Sequence, residues 1–267
     1  MFYLIRSYII YIIILKFIEE LKRMCISSYI MSDILKKELI PYSIPYQKIH
    51  VGKNSDGGYI IFNHNLENIT NILSYGISND VSCELDLTKY SKSNIYMFDH
   101  TIESLPIIHP QFIFIKEAGS LSNFIKHITD INTNKSNKLF LKMDIEGHEW
   151  DIFKKLPFDL LSMFEQIIIE FHNLEFLQNE YFGFINMTQN DMANVFNRIN
   201  TLFYLGHIHG NNCGGIKDLP NSIECTYIRK DLLQTPPSIE TQSYPIINLD
   251  FPNNPYANDY DLNWWLQ

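Results

Sequence analysis

The run Lys138–Asp151, KLFLKMDIEGHEWD, constrains the fold more than any other part of the chain. Its apolar half, Leu139, Phe140 and Leu141, is short and bounded by polar residues, the pattern of a strand buried on both faces. Asp144, Glu146 and Glu149 follow at once. Gly147 lets the backbone turn, and Trp150, Phe153 and Leu156 keep helical spacing until Pro157 stops it. A strand that runs through an acidic turn into a helix is one unit of an open α/β sheet, where ligands bind at the carboxyl ends of the strands. Asp144 and Glu146 belong at such an end. Glu149 and Asp151 are accounted for by the helix dipole, which favours acids in the first turn. Asp144 is different: it sits on the last buried turn of a strand, where an unpaired charge is costly and a ligand or partner is expected.

The rest of the chain repeats this alternation. Asn71–Gly76 (NILSYG) reads as a strand closing on a glycine, and Val81–Tyr90 reads as a helix that Asp80 can cap. Asn94–Asp99 (NIYMFD) is a strand ending in an acid, and Phe112–Lys116 is another, with Glu117 at its end. Leu121–Ile131 is helical. Gln166–Phe171 is a buried strand ending at His172, and Asn190–Ile199 is a helix with an apolar stripe. Leu202–Ile208 and Ile223–Arg229 are the last two strands. The Gly-rich link between them, Gly210–Asn221, suits an antiparallel final strand. Upstream, Asp56-Gly57-Gly58 is a strong turn signal before a strand at Tyr59–Phe62, either a plain hairpin or a flap whose amides approach a ligand. Strands alternating with helices predict a mostly parallel, doubly wound α/β sheet with helices on both faces and an antiparallel last strand.

A chain of 267 residues, 46% hydrophobic, can build one large core. Its formal net charge of −9 argues against a nucleic-acid partner, which would ask for a basic face. Cys25, Cys83, Cys213 and Cys225 form no CxxC pair and fit no zinc template, so a reducing, cytoplasmic setting is expected. The N-terminus qualifies this. Residues 2–18 are almost all apolar, broken by Arg6 and Lys16, and the unbroken part is too short to span a bilayer. Membrane association through this segment is the alternative to a leader ahead of Met24 or Met31.

The interval from Gly76 to Asp99, 99 − 76 = 23 residues, is close to the glycine-to-acid interval of about 20 in dinucleotide-type sites, although GxGxxG is absent. Taken in order, SYGISNDVSCELDL, YMFDHT, FLKMDIEGHEWDIF and IIIEFHNL resemble the motifs of FkbM-like S-adenosylmethionine-dependent methyltransferases. The DGGY lead-in and the late HGNN and ECTYIRK segments resemble one branch of that family. The resemblance covers about residues 48–230. It implies a seven-stranded class I methyltransferase fold, with residues 1–47 as an apolar helix and lead-in and 231–267 as a Pro/Asn-rich tail laid over the domain. It also implies S-adenosylmethionine as cofactor and methyl transfer to an oxygen of a sugar, glycan or small metabolite. The cofactor contacts it points to are Gly76, Asp80, Asp99 and Glu117, with Gly58 of the flap. The acid that the family carries near Ser74 and the second glycine near Asp80 are both missing, which leaves Asp80, Glu84 or the flap to supply those contacts.

A hydroxyl acceptor needs a general base or a metal. Asp144, Glu146 and His172 follow neighbouring strands and can converge. His172 is the expected base, because an imidazole titrates near neutrality, with Asp144 orienting it or facing the cofactor's positive centre. The same cluster could hold a divalent ion, but no dense ligand spacing in the sequence favours a metal. His209 and Asn211 are the expected acceptor contacts, on a loop beside the strand ends. A non-catalytic binding module or a nicotinamide-dependent oxidoreductase on the same sheet are the rival readings. The latter lacks its fingerprint, and the motif of nucleic-acid amino-methyltransferases is replaced here by DIEG.

Overall fold

The computed structural model describes residues 31–174, 187–216 and 219–266, so the apolar segment 2–18 lies outside the described residues. Among those described, no helix is long and apolar enough to cross a membrane. A short helix, α1 (Asp33–Glu38), leads to a hairpin of β1 (Lys48–Val51) and β2 (Tyr59–Phe62). Then follow β3 (Asn71–Tyr75), α2 (Ser82–Tyr90), β4 (Asn94–Phe98), β5 (Phe112–Ile115), α3 (Leu121–Ile131) and β6 (Leu139–Met143). The second half holds α4 (Glu149–Lys155), α5 (Phe158–Leu161), β7 (Phe164–Phe171), α6 (Gln189–Leu202), β8 (Phe203–Ile216) and β9 (Leu219–Arg229).

The hairpin stands apart, and the other seven strands form one sheet in the order β5-β4-β3-β6-β7-β9-β8. The strands from β5 to β7 are parallel; β9 enters between β7 and β8, antiparallel to both. The chain therefore starts in the middle, runs out to β5 and returns to β6. β3 and β6 flank the switch point where the winding reverses, and the crevice above their carboxyl ends is where such a sheet binds ligands.

Both faces are buried, as the near-continuous apolar strands require. Leu73, Tyr75, Leu141 and Met143 face one cluster, closed by residues of α3, α4 and α6 such as Phe124, Trp150 and Phe196. Their strand neighbours Ile72, Phe140 and Ile168 face the other cluster, closed by Leu87 of α2 and by Val51, Tyr59 and Ile61 of the hairpin. The period-2 alternation of side chains feeds both cores from the same strands.

One expectation is corrected here. His209 and Asn211 are not on a loop: β8 continues to Ile216, paired with β9 through irregularities at Leu205/His207 and Asn211/Gly215. The run reads as a loop because His, Asn and Gly crowd it, but the segment after β9 supplies the partners that let its polar residues sit buried. The Asn212 amide donates to the carbonyls of Asn254 and Ala257, and His209 Nε2 meets the Asp259 carboxylate at 3.1 Å. The same segment buries Tyr244 and Leu262 and donates from Trp264 Nε1 to the Lys36 carbonyl at 3.1 Å.

Candidate active site

The site grows from the switch point. β3 ends at Tyr75, and its carbonyl accepts from Asp144 N, so the chain leaves β3 and β6 side by side. Gly76 then turns at φ +76°, and a Cβ there would stand 1.5 Å from the Asp144 carbonyl oxygen. Only glycine fits so close an approach. The turn aims two backbone N–H groups at the acid ending β4: Ile77 N and Ser78 N donate to Asp99 Oδ2 at 2.9 and 2.7 Å. Thr101 N and its hydroxyl donate to Oδ1 at 2.7 and 2.6 Å. Burial works to raise the Asp99 pKa, but these donors, led by the Thr101 hydroxyl, overcome it and hold the carboxyl below its ordinary value.

Asp99 thus fastens the glycine turn to the next strand. Its roughly four acceptor positions are already used, so a ribose hydroxyl would take over the place of the rotatable Thr101 hydroxyl. Asp99→Ala is therefore expected to lower both folding stability and S-adenosylmethionine affinity, the latter by about 1–3 kcal/mol. Calorimetry and urea unfolding on the same sample read the two effects, and unchanged cofactor affinity would take Asp99 out of the site.

Below the turn lies a cavity of about 290 Å³ lined by Gly57, Gly76, Asp80, Glu84, Lys142 and Asp144, among others. Asp80 accepts from Ser82 N at 3.0 Å at the start of α2 and meets Lys53 Nζ at 3.0 Å. Glu84, from α2, accepts from Ser74 Oγ at 2.5 Å and is 2% exposed. A carboxylate absent from the β3 sequence thus reaches that strand from the following helix. Lys142 lies between these acids. Its Nζ donates to the Gly76 carbonyl at 2.7 Å and stands 3.4 Å from Asp144 Oδ2. Burial pulls its pKa down, and Asp144 and Glu84 more than reverse this, holding the ammonium well above its ordinary range.

Two expected cofactor residues stand elsewhere. Gly58 is packed inside the hairpin turn against Lys53 O and the His50 ring, and its neighbour Gly57 lines the cavity. Glu117 turns away to His127 Nε2 at 2.9 Å and Lys126 Nζ at 3.3 Å.

A second cavity, about 220 Å³, opens beside the first; its walls include Asp56, Asp144, Glu146, Glu170, His172 and Asn211. Asp144 and Asp56 line both cavities. The Tyr59 hydroxyl donates to Asp144 Oδ2 at 3.0 Å, while Oδ1 faces His172 Nε2 at 3.6 Å. Glu170 Oε1 is 3.6 Å and Glu146 Oε2 is 3.7 Å from the same nitrogen. Glu146 is the outermost of these, its side chain 86% exposed. Asn211 Nδ2 and Ser222 Oγ donate to Glu170 Oε1 at 2.9 and 2.7 Å. His209 points away from the cavity, held between Glu224 and Asp259.

Sequence reasoning missed Lys142 and Glu170. Each is the single charge within an apolar run, FLKM and IIIEF, and that isolation was the available signal.

Burial opposes the charged form of His172, but Glu149, Glu170 and Asp144 outweigh it and raise its pKa from 6.5 to about 10. Glu170 is raised from 4.5 to about 8, by burial first and then by Asp144. Both folded-state values lie above the unfolded ones. Their contributions to stability are therefore largest at low pH and are lost as pH rises, for His172 between 6.5 and about 10. The urea midpoint of the wild type is expected to fall across that window, and His172→Gln should flatten the fall. A midpoint that rises with pH equally in both proteins would contradict the assignment.

A family model for the methyltransferase FkbM domain matches residues 48–196, more than half of the chain. No curated protein matches the sequence. Among solved structures, the fibrillarin/Nop5p complex is similar with 11% identity and a TM-score of 0.38, covering 60% of this chain and 73% of that one. A protein from Listeria monocytogenes described as a candidate S-adenosylmethionine-dependent methyltransferase is similar with 10% identity and a TM-score of 0.38, covering 62% and 96%. The family match spans the glycine turn, Asp99 and the acidic turn after β6, and the chain belongs to the FkbM-domain methyltransferases, with the class I fold and S-adenosylmethionine as the implied methyl donor.

Proposed function

We propose that this protein methylates a hydroxyl of a neutral, hydroxyl-rich acceptor: a sugar, a glycan or a small metabolite. The observation that carries the reading is the position of Asp144, which lines both the cavity under the glycine turn and the polar cavity beside it. The first fits the cofactor. Its glycine turn gives close backbone approach, and the carboxylates of Asp144, Glu84 and Asp80 suit a sulfonium cation. S-adenosylmethionine supplies the activated methyl group when bound. The second cavity suits the acceptor. Three of its walls are the carboxylates Asp56, Asp144 and Glu146, which repel phosphates and carboxylates and disfavour a nucleic-acid strand. Asn211 and Ser222 add groups that hydrogen-bond hydroxyls.

The protein's own part is alignment and proton removal. Asp144 Oδ2 is tied by Tyr59 and Lys142, which leaves Oδ1 to face the acceptor, while Glu146 at the rim takes the acceptor's proton and passes it to water. His172, the base expected from the sequence, is held in its protonated form at neutral pH by the surrounding carboxylates, so in this arrangement it orients rather than abstracts.

The test is a cofactor titration followed by transfer from labelled S-adenosylmethionine to a panel of neutral glycosides, phosphorylated sugars and amines. Label in an alkali-stable methyl ether on a neutral acceptor is the expected result. Label confined to amines or carboxylates would overturn the reading.

A further inference from the structure

We propose that Asp144, Glu170 and His172 form a binding site for one divalent cation of the Mn²⁺/Mg²⁺ class, on whose open side the acceptor hydroxyl binds. The second clause rests on the function proposed above; the first does not.

Three observations carry it. One ligand atom from each of these residues lies within 4.8 Å of the others, although they come from two different strand ends. The two distances to the imidazole are too long for hydrogen bonds and close to those between ligands of one ion. His172 Nε2 is 3.6 Å from both Asp144 Oδ1 and Glu170 Oε1. A hydrogen bond would close to about 2.7–3.2 Å. Donors about 2.0–2.2 Å from a shared cation stand roughly 3.0–3.5 Å apart, so a small closure would seat one.

The third observation is the aim of the imidazole. His172 is 7% exposed, and its Nδ1 meets Glu149 Oε1 at 3.1 Å. Glu149 is itself fully buried and anchored by Ile145 N at 2.8 Å. A carboxylate on one ring nitrogen keeps a proton there, so a cation that displaces the proton of the other nitrogen meets an oriented lone pair. Here that other nitrogen, Nε2, points into the carboxylate cluster. Asp144 is oriented in the same way by Tyr59 on its other oxygen, and Glu170 is held by Asn211 and Ser222, both of which donate to Oε1 itself. Buried partners that orient each ligand are typical of metal sites. Two carboxylates and one imidazole, with no thiolate among the three, suit Mn²⁺ or Mg²⁺ better than a soft ion.

The experiment titrates the full chain with Mn²⁺, following free ion by electron paramagnetic resonance. Wild type is expected to bind one Mn²⁺ per chain, and Glu170→Gln to lose that site. Glu149→Gln, which among the three proposed ligands touches only His172 through Nδ1, is expected to weaken it about 10–100-fold. S-adenosylmethionine affinity, measured by calorimetry in chelator, is expected to be the same in all three. Folding of the variants is checked by circular dichroism. A wild type that binds no Mn²⁺ at millimolar concentration overturns the site, as does a folded Glu170→Gln that binds like wild type. Failure of the methyltransferase reading shows separately, as a wild type that binds Mn²⁺ but no S-adenosylmethionine.

Discussion

Lys142→Met is expected to destabilise the protein by about 3–5 kcal/mol, the scale for removing one partner from a buried charge group. Lys142 is 5% exposed, in the middle of a strand whose other residues are all apolar. Its ammonium meets the Gly76 carbonyl, lies beside Asp144 and stands 5.3 Å over the Tyr59 ring. Glu84 and Asp144 together hold it charged. Methionine fills the same volume but leaves both carboxylates without that cation. If the cost is electrostatic, adding Glu84→Gln should restore part of it. Urea unfolding without ligands measures both variants. A loss below about 1 kcal/mol would mean that solvent already screens the group.

Gly76→Ala is expected to abolish cofactor binding and to cost roughly 2–5 kcal/mol in folding. The left-handed backbone at φ +76° contributes about 1–2 kcal/mol of that for an L-residue. The rest comes from overlap: a methyl group 1.5 Å from the Asp144 carbonyl forces β3 and β6 apart at their carboxyl ends. That movement carries Asp144 away from both cavities and pulls Ile77 N and Ser78 N off Asp99. A variant that unfolds at the wild-type urea midpoint and titrates normally with S-adenosylmethionine would show that the turn relaxes without harm.

Much of this architecture was legible in the sequence because the parallel strands are short, apolar and punctuated. NILSYG, NIYMFD and the run into DIEG each announce a strand, and the acid or glycine at its end marks the ligand side. What could not be read was pairing at a distance. Glu84 is one of several candidates for the contact of the acid missing from β3, and helix spacing does not say that it is the one to reach Ser74. Glu117 ends its strand like Asp99, yet His127 of the next helix draws it aside. The outer half of β8 looked like a loop because its polar residues take their partners from distant chain, Asn212 and His209 from the segment that follows β9 and Asn211 from β7. His172 was read at its solution pKa, and three carboxylates from other positions change that.

That dependence on later chain has a consequence for biosynthesis. Asn254, Ala257 and Asp259 bind Asn212 and His209, on either side of Asn211, which lines the second cavity. These residues leave the ribosome after every strand of the sheet. The bonds of the glycine turn to Asp99 and Lys142 lie within the chain from β3 to β6, whereas Asp56, which lines both cavities, bonds Asn253 downstream of β9. The nascent protein therefore completes its glycine turn first and the cavity walls at Asp56 and Asn211 last.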